Sequence, residues 1–112
     1  QTRCFGHVDD IIEALIQVSN SEKTIGTVVN IGNKDEISIN DLAAKILEIT
    51  GSKSQIVYVS YADAYKTGFE DMERRVPNID RIKELTGWEP KRDLETIIRD
   101  VIKYLQDQKI NR

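Results

Sequence analysis

Little in this sequence can cross-link a chain or hold a metal. It has one cysteine, Cys4, and one histidine, His7. A lone cysteine makes no internal disulfide, and one residue of each type cannot close a tetrahedral zinc site. No apolar run approaches the roughly 18 residues that a membrane helix needs. An excess of positive charge is missing as well. Lys plus Arg is 16 against 19 for Asp plus Glu, a net charge of −3. A protein held on nucleic acid by phosphate contacts would normally be basic. The six glycines stand at 6, 26, 32, 51, 68 and 87, no two within three residues. That spacing contains neither Gly-x-Gly-x-x-Gly nor a phosphate-binding loop of the Walker type. The expected partners therefore exclude nucleic acid and membrane, and no metal site is expected.

What is present suits an ordinary globular domain. Charged residues make up 31% of the 112 and hydrophobic residues 39%. That length allows one domain at most. The chain begins Gln1-Thr2-Arg3-Cys4-Phe5, without methionine or signal sequence. We read it as the C-terminal piece of a longer protein, with a cytoplasmic location expected.

Periodicity predicts the elements. Val8, Ile11, Ile12, Leu15, Ile16 and Val18 fall at helical spacing, so a helix is expected over about 9–19 with Asp9 as N-cap. Acids at Asp9-Asp10 fit the positive end of a helix. Thr27–Ile31 reads as a short buried strand. Ser38, followed three residues later by Asp41, forms a weak capping box for a second helix, with Ile37 and Leu42 as its hydrophobic staple. Leu42, Ala43, Ile46, Leu47 and Ile49 form its apolar stripe, and Gly51 closes it. Gln55–Val59 reads as a second strand, 60–72 as an irregular loop, and Arg74–Pro77 as a short edge strand. Asn78 is placed to cap a short helix over 79–86, closed by Gly87. Asp93 caps a last helix with one apolar face from Leu94 to Leu105. The expected fold class is α+β, a small lobe of about four helices and two or three short strands. So few short strands are marginal without a partner sheet or covering helices.

Catalytic groups are sparse. His7 sits in an apolar stretch and is expected as a packed, hydrogen-bonded residue. Cys4 is expected as a small buried hydrophobe. The arginines offer more. Arg3 begins a predicted strand, and Arg74-Arg75 follow the irregular loop. Two arginines converging on one pocket would suit a diphosphate, because the guanidinium fork pairs with phosphate oxygens bidentately. Surface ion pairing with Glu70, Asp71 or Glu73 is the competing reading, and spacing does not separate the two.

Four segments carry a family resemblance. Arg3-Cys4-Phe5-Gly6-His7-Val8-Asp9-Asp10 resembles the R-x-F-x-[YH]-V-D-D segment of the extended short-chain dehydrogenase/reductases, the NAD-dependent nucleotide-sugar epimerases, dehydratases and decarboxylases. Asn30-Ile31-Gly32-Asn33 with Glu36 to Ala43 resembles N-I-G-x … [ST]-I-x-E-L-A. Arg75-Val76-Pro77-Asn78-Ile79-Asp80 resembles R-x-P-D-I-x-K, with Asn78 where Asp is common. Leu85-Thr86-Gly87-Trp88-Glu89-Pro90 resembles L-G-W-x-P. The four occur in the family's order across nearly the whole chain.

The resemblance implies a substrate-binding lobe that packs on a Rossmann domain, which would lie upstream of this chain and bind NAD. None of Tyr58, Tyr61, Tyr65 and Tyr104 begins the family's Tyr-x-x-x-Lys pair. Hydride transfer needs a nicotinamide and an acid/base near the sugar carbon. The piece alone is thus expected to be inactive, with no catalytic residue of its own. The resemblance places Arg3 and Arg75 on the diphosphate, Asp71 near the ribose and Ile39 against the base. Arg74 takes the place of Arg75 if the register shifts by one. The implied partners are a UDP- or dTDP-sugar and, for the parent enzyme, a second copy of itself. The rival reading is a noncatalytic interaction module that docks through its amphipathic helices.

Overall fold

A single two-stranded ribbon is all the sheet that forms among the described residues. The computed structural model describes residues 1–60 and 72–110. Strand β1 (Thr2–Cys4) pairs antiparallel with β2 (Glu36–Ser38), with Thr2 opposite Ser38, Arg3 opposite Ile37 and Cys4 opposite Glu36. Helix α1 (Val8–Asn20) and a 3-10 turn (Glu22–Thr24) lie between the strands. Helices α2 (Ile39–Thr50), α3 (Asp80–Thr86) and α4 (Leu94–Ile110) follow. Among the described residues the α+β lobe of four helices and short strands is therefore observed.

The local signals act where they were expected. Ser38 Oγ accepts from the Asp41 amide at 3.0 Å and starts α2. Asp93 Oδ1 accepts from the amide of Thr96 at 2.9 Å and from its hydroxyl at 2.6 Å, and starts α4. Gly51 and Gly87 end α2 and α3 at φ 64° and 78°, a region only glycine enters without strain. Asn78 Oδ1 accepts from the Asp80 amide at 2.9 Å, so it braces the start of α3 from one residue outside the cap position, which Ile79 occupies.

Other expectations are corrected. The N-cap of α1 is His7, not Asp9: His7 Nδ1 accepts from the Asp9 amide at 3.0 Å. Thr27–Ile31 is not a strand. Its period of two survives, with Val29 and Ile31 turned to the core and Val28 outward. Side-chain bonds tie it to residues 78–81 instead: Arg81 Nη1 donates to the Val28 carbonyl at 2.9 Å, and Asn30 Nδ2 donates to the Asn78 carbonyl at 3.4 Å. Gln55–Val59 is not a strand either, and it stays exposed. Arg74–Pro77 forms no ladder, and the 60–72 loop lies almost wholly outside the described residues. A strand needs a ladder of paired backbone bonds, and among the described residues none forms on these segments.

The core is small. Ala14 of α1, Ile79, Ile82 of α3 and Trp88 are buried together, with Val18, Val29 and Ile31 against them. The stripe of α2 is only half-buried, with Ile46 exposed. On α4 Ile98 is buried, while Val101 and Leu105 face outward.

Two of the motif segments touch directly. A Cβ on Gly32 would stand 3.0 Å from Pro77 Cγ, closer than ordinary packing allows. The Gly32→Ala substitution should therefore destabilise the chain by about 1 kcal/mol, the low end of the cost of overpacking, since Pro77 is half-buried and must give by only a few tenths of an ångström. Adding Pro77→Ala should recover part of that loss in chemical denaturation. A Gly32→Ala variant as stable as the parent would show that the two segments are free to move apart.

Candidate functional site

Directly opposed residues of an antiparallel pair share a face, and successive residues alternate faces. Arg3 and Ile37 therefore occupy one face of the ribbon. Thr2, Cys4, Glu36 and Ser38 occupy the other. The pairing runs one step further, since the Ile39 amide donates to the Gln1 carbonyl at 3.1 Å. Ile39, the first residue of α2, is thus held against the start of β1 and is 42% exposed.

A third segment joins along the edge of β1 that β2 leaves open. The Thr2 amide donates to the Glu73 carbonyl at 2.8 Å. Arg74 forms a fork on Glu36, with Nε to Oε1 at 2.7 Å and Nη2 to Oε2 at 3.0 Å. Thr2 Oγ1 adds a bond to Glu36 Oε1 at 3.0 Å. The hydrogen bonds from Arg74, then Thr2, hold the Glu36 carboxyl below the usual range, and the same pairing raises Arg74.

The structure thus gathers residues 1–4, 36–39 and 73–75 into one cluster. It carries three of the four expected site residues: Arg3, Ile39 and Arg75. Arg3 is half-buried and donates through Nη1 to the Thr2 carbonyl at 2.7 Å. Arg75 is exposed and makes no hydrogen bond or ion pair with any described residue. Asp71 lies outside the described residues. The two neighbouring arginines differ in use: the pairing reading holds for Arg74, whose acid among the described residues is Glu36 rather than Glu73, while Glu70 and Asp71 lie outside the described residues. Glu36 escaped the sequence reading because it stands 38 residues away.

His7 is the packed, hydrogen-bonded histidine that was expected. It is buried, and its Nε2 donates to Asp100 Oδ2 at 2.7 Å, because Nδ1 is already the acceptor for the Asp9 amide. Cys4 is half-buried rather than buried. Burial, then Glu36 and Asp35, push its thiol up, away from a reactive thiolate.

One cluster was missed. Asp10 was expected to serve the α1 terminus, yet it is fully buried and serves the turn before α4. It accepts from the Lys91 amide at 3.1 Å, the Arg92 amide at 3.0 Å and Arg92 Nη1 at 2.6 Å. Trp88 Nε1 donates to the Asp10 carbonyl at 3.0 Å, and Arg92 Nη2 reaches Glu13 at 3.3 Å. Burial raises the Asp10 carboxyl, but these donors outweigh it and leave it below the usual range. The available signal was position: Asp10 is four residues before Ala14, on the face that enters the core.

Residues 1–101 match the family model described as GDP-mannose 4,6 dehydratase. The chain belongs to this family. The GDP-mannose 4,6 dehydratase family agrees with the resemblance carried by the four motif segments. Among similar proteins is the UDP-N-acetyl-alpha-D-glucosaminuronate decarboxylase of Bacillus cytotoxicus, 36% identical over 107 residues, which are 96% of this chain and 33% of that protein. UDP-glucuronic acid decarboxylase 1 of Xenopus tropicalis is 35% identical over 108 residues, 96% of this chain and 24% of that protein. The crystal structure of the Bordetella bronchiseptica enzyme WbmF, in complex with NAD+ and UDP, superposes with a TM-score of 0.77 at 26% identity. It covers 98% of this chain and 31% of WbmF. The chain spans about a third or less of the length of these family members. No helix among the described residues is long and apolar enough to cross a membrane.

Proposed function

We propose that this chain is the nucleotide-sugar-binding portion of an NAD-dependent nucleotide-sugar epimerase/dehydratase, of the UDP-glucuronate decarboxylase-like kind. The observation that carries the reading is the meeting of β1, the start of α2 and segment 73–75, which brings Arg3, Ile39 and Arg75 into one cluster. In this reading the two guanidinium groups hold the diphosphate and Ile39 covers the base. Asp71 takes the ribose hydroxyls. The family members above that act on UDP-sugars, and the UDP in the WbmF complex, favour uridine as the base.

Glycine spacing gives this chain no dinucleotide fingerprint, so NAD is assigned to a Rossmann domain in the rest of the protein. There it would supply hydride chemistry at the sugar carbon. This chain's own share is to bind and orient the nucleotide while the sugar reaches that site. By itself it should turn nothing over. The intact enzyme is proposed to act in the cytoplasm, as a homodimer, as an isomerase or lyase of carbohydrate metabolism.

The test is a calorimetric titration of UDP into the intact protein. Arg3→Ala and Arg75→Ala should each weaken binding by about 1.5–3 kcal/mol, the range of a charge-assisted contact. That is roughly 10- to 150-fold in the dissociation constant. Parental affinity in both variants would remove the phosphate role.

One observation favours the rival reading of a protein-interaction module. Val8, Ile12, Leu15 and Ile16 form an exposed apolar face on α1. Gel filtration of the chain separates the two. A monomer that melts cooperatively supports an autonomous module, whereas self-association supports a lobe whose covering domain lies elsewhere.

A further inference from the structure

We propose that Glu36 and Arg74 form a positioning device that presents Arg75 to the nucleotide. The proposal rests on the nucleotide-sugar reading above. It deepens that reading by dividing the labour between two adjacent arginines.

Arg74 is fully committed to the protein. Its fork closes on both oxygens of Glu36, at 2.7 and 3.0 Å. A bidentate pair fixes orientation as well as distance, which a single contact does not. Glu36 is itself oriented by the Thr2 hydroxyl at 3.0 Å. The same Thr2 holds the backbone of the arriving segment through its amide, at 2.8 Å from the Glu73 carbonyl. Thr2 thus binds the segment on one side of Arg74, and Glu36 binds Arg74 itself. Arg75, the next residue, is exposed and makes no hydrogen bond or ion pair with any described residue. No strand ladder holds the segment in place. On the β1 side the anchor shown is one backbone bond and one side-chain fork. Without the fork, the backbone bond at Glu73 and the packing of Pro77 against Gly32 would be left to set the position of Arg75, with nothing to fix the residue between them. Arg3 stands next to Thr2 in β1, so the anchor also sets the spacing between the two proposed phosphate ligands.

The experiment is a double-mutant cycle on the intact protein, with UDP binding as the readout. Charge and position predict opposite signs for Glu36→Gln. If Glu36 acted only as a nearby negative charge, its removal would tighten binding of an anion. If it positions Arg75, removal weakens binding. The expected loss is about three- to fivefold, the scale an exposed ion pair can supply. In an Arg75→Ala background, Glu36→Gln should cause no further loss, because nothing remains to position. A general folding defect would lower affinity equally in both backgrounds. Unchanged or tighter binding by Glu36→Gln, or an equal loss in both backgrounds, overturns the positioning role while Arg75→Ala still shows its own large loss. Parental affinity in Arg75→Ala removes the phosphate role itself, and this proposal with it.

Discussion

Asp10→Ala should destabilise the chain by about 3 kcal/mol, near the lower end of the range for breaking a buried ion pair by removing one partner. The carboxylate is fully buried and takes three donors, two of them the backbone amides of Lys91 and Arg92. Alanine leaves those amides without their acceptor and the Arg92 guanidinium with Glu13 alone. Arg92 is 29% exposed, so water recovers part of its solvation and keeps the loss from the top of the range. The check is urea unfolding at pH 7, followed by the fluorescence of Trp88, the chain's one tryptophan. A loss under about 1 kcal/mol would mean that the turn is held by other contacts.

The same site sets an acid limit. The folded Asp10 carboxyl lies below its ordinary value, so its contribution is complete above the unfolded pKa of about 3.9. It is lost as pH falls through the folded value. The parent should therefore weaken below about pH 4 by an amount that Asp10→Asn does not show. Parallel stability curves for the two proteins between pH 6 and 2 would contradict this assignment.

Trp88→Ala should cost about 3–5 kcal/mol, the range for emptying a large aromatic site. Trp88 is 1% exposed and shares the core with Ala14, Ile79 and Ile82. These residues come from α1, α3 and the approach to α3, so one side chain joins segments distant in sequence. The substitution also removes the indole N–H bond to the Asp10 carbonyl. Thermal unfolding followed by circular dichroism gives the measurement. Trp88→Phe should recover most of the packing but not the hydrogen bond, and its cost should fall between parent and alanine. Because Trp88 and Asp10 share one network, the double variant should lose less than the sum of the two. Strict additivity would show that the indole and the carboxylate act independently.

Much of the local structure was legible. The bond from the Asp41 amide to Ser38, the one from the Thr96 amide to Asp93 and the glycine caps all close within four residues, so nearby sequence contains both partners. The strands were legible only as alternation. Thr27–Ile31 keeps its two-residue period yet has no ladder, because pairing belongs to two segments and sequence shows one at a time. Asp10 was misassigned for a related reason. Its dipole-favoured position suited capping, but Arg92 is 82 residues away and its pull was invisible. Whether Arg74 pairs with an acid was open on spacing, and the partner it takes, Glu36, was too remote in sequence to read.

By itself, the sequence determined where α2 and α4 begin, where α2 and α3 end, and which family the ordered motif segments belong to. Those properties depend on short-range hydrogen bonds, backbone preference and residue identity. Only the tertiary structure decided that three remote segments meet around Thr2, that one of two adjacent arginines is spent on Glu36, and that Asp10 turns inward. Each of those outcomes depends on which groups the folded chain brings within about 3 Å, the reach of a hydrogen bond.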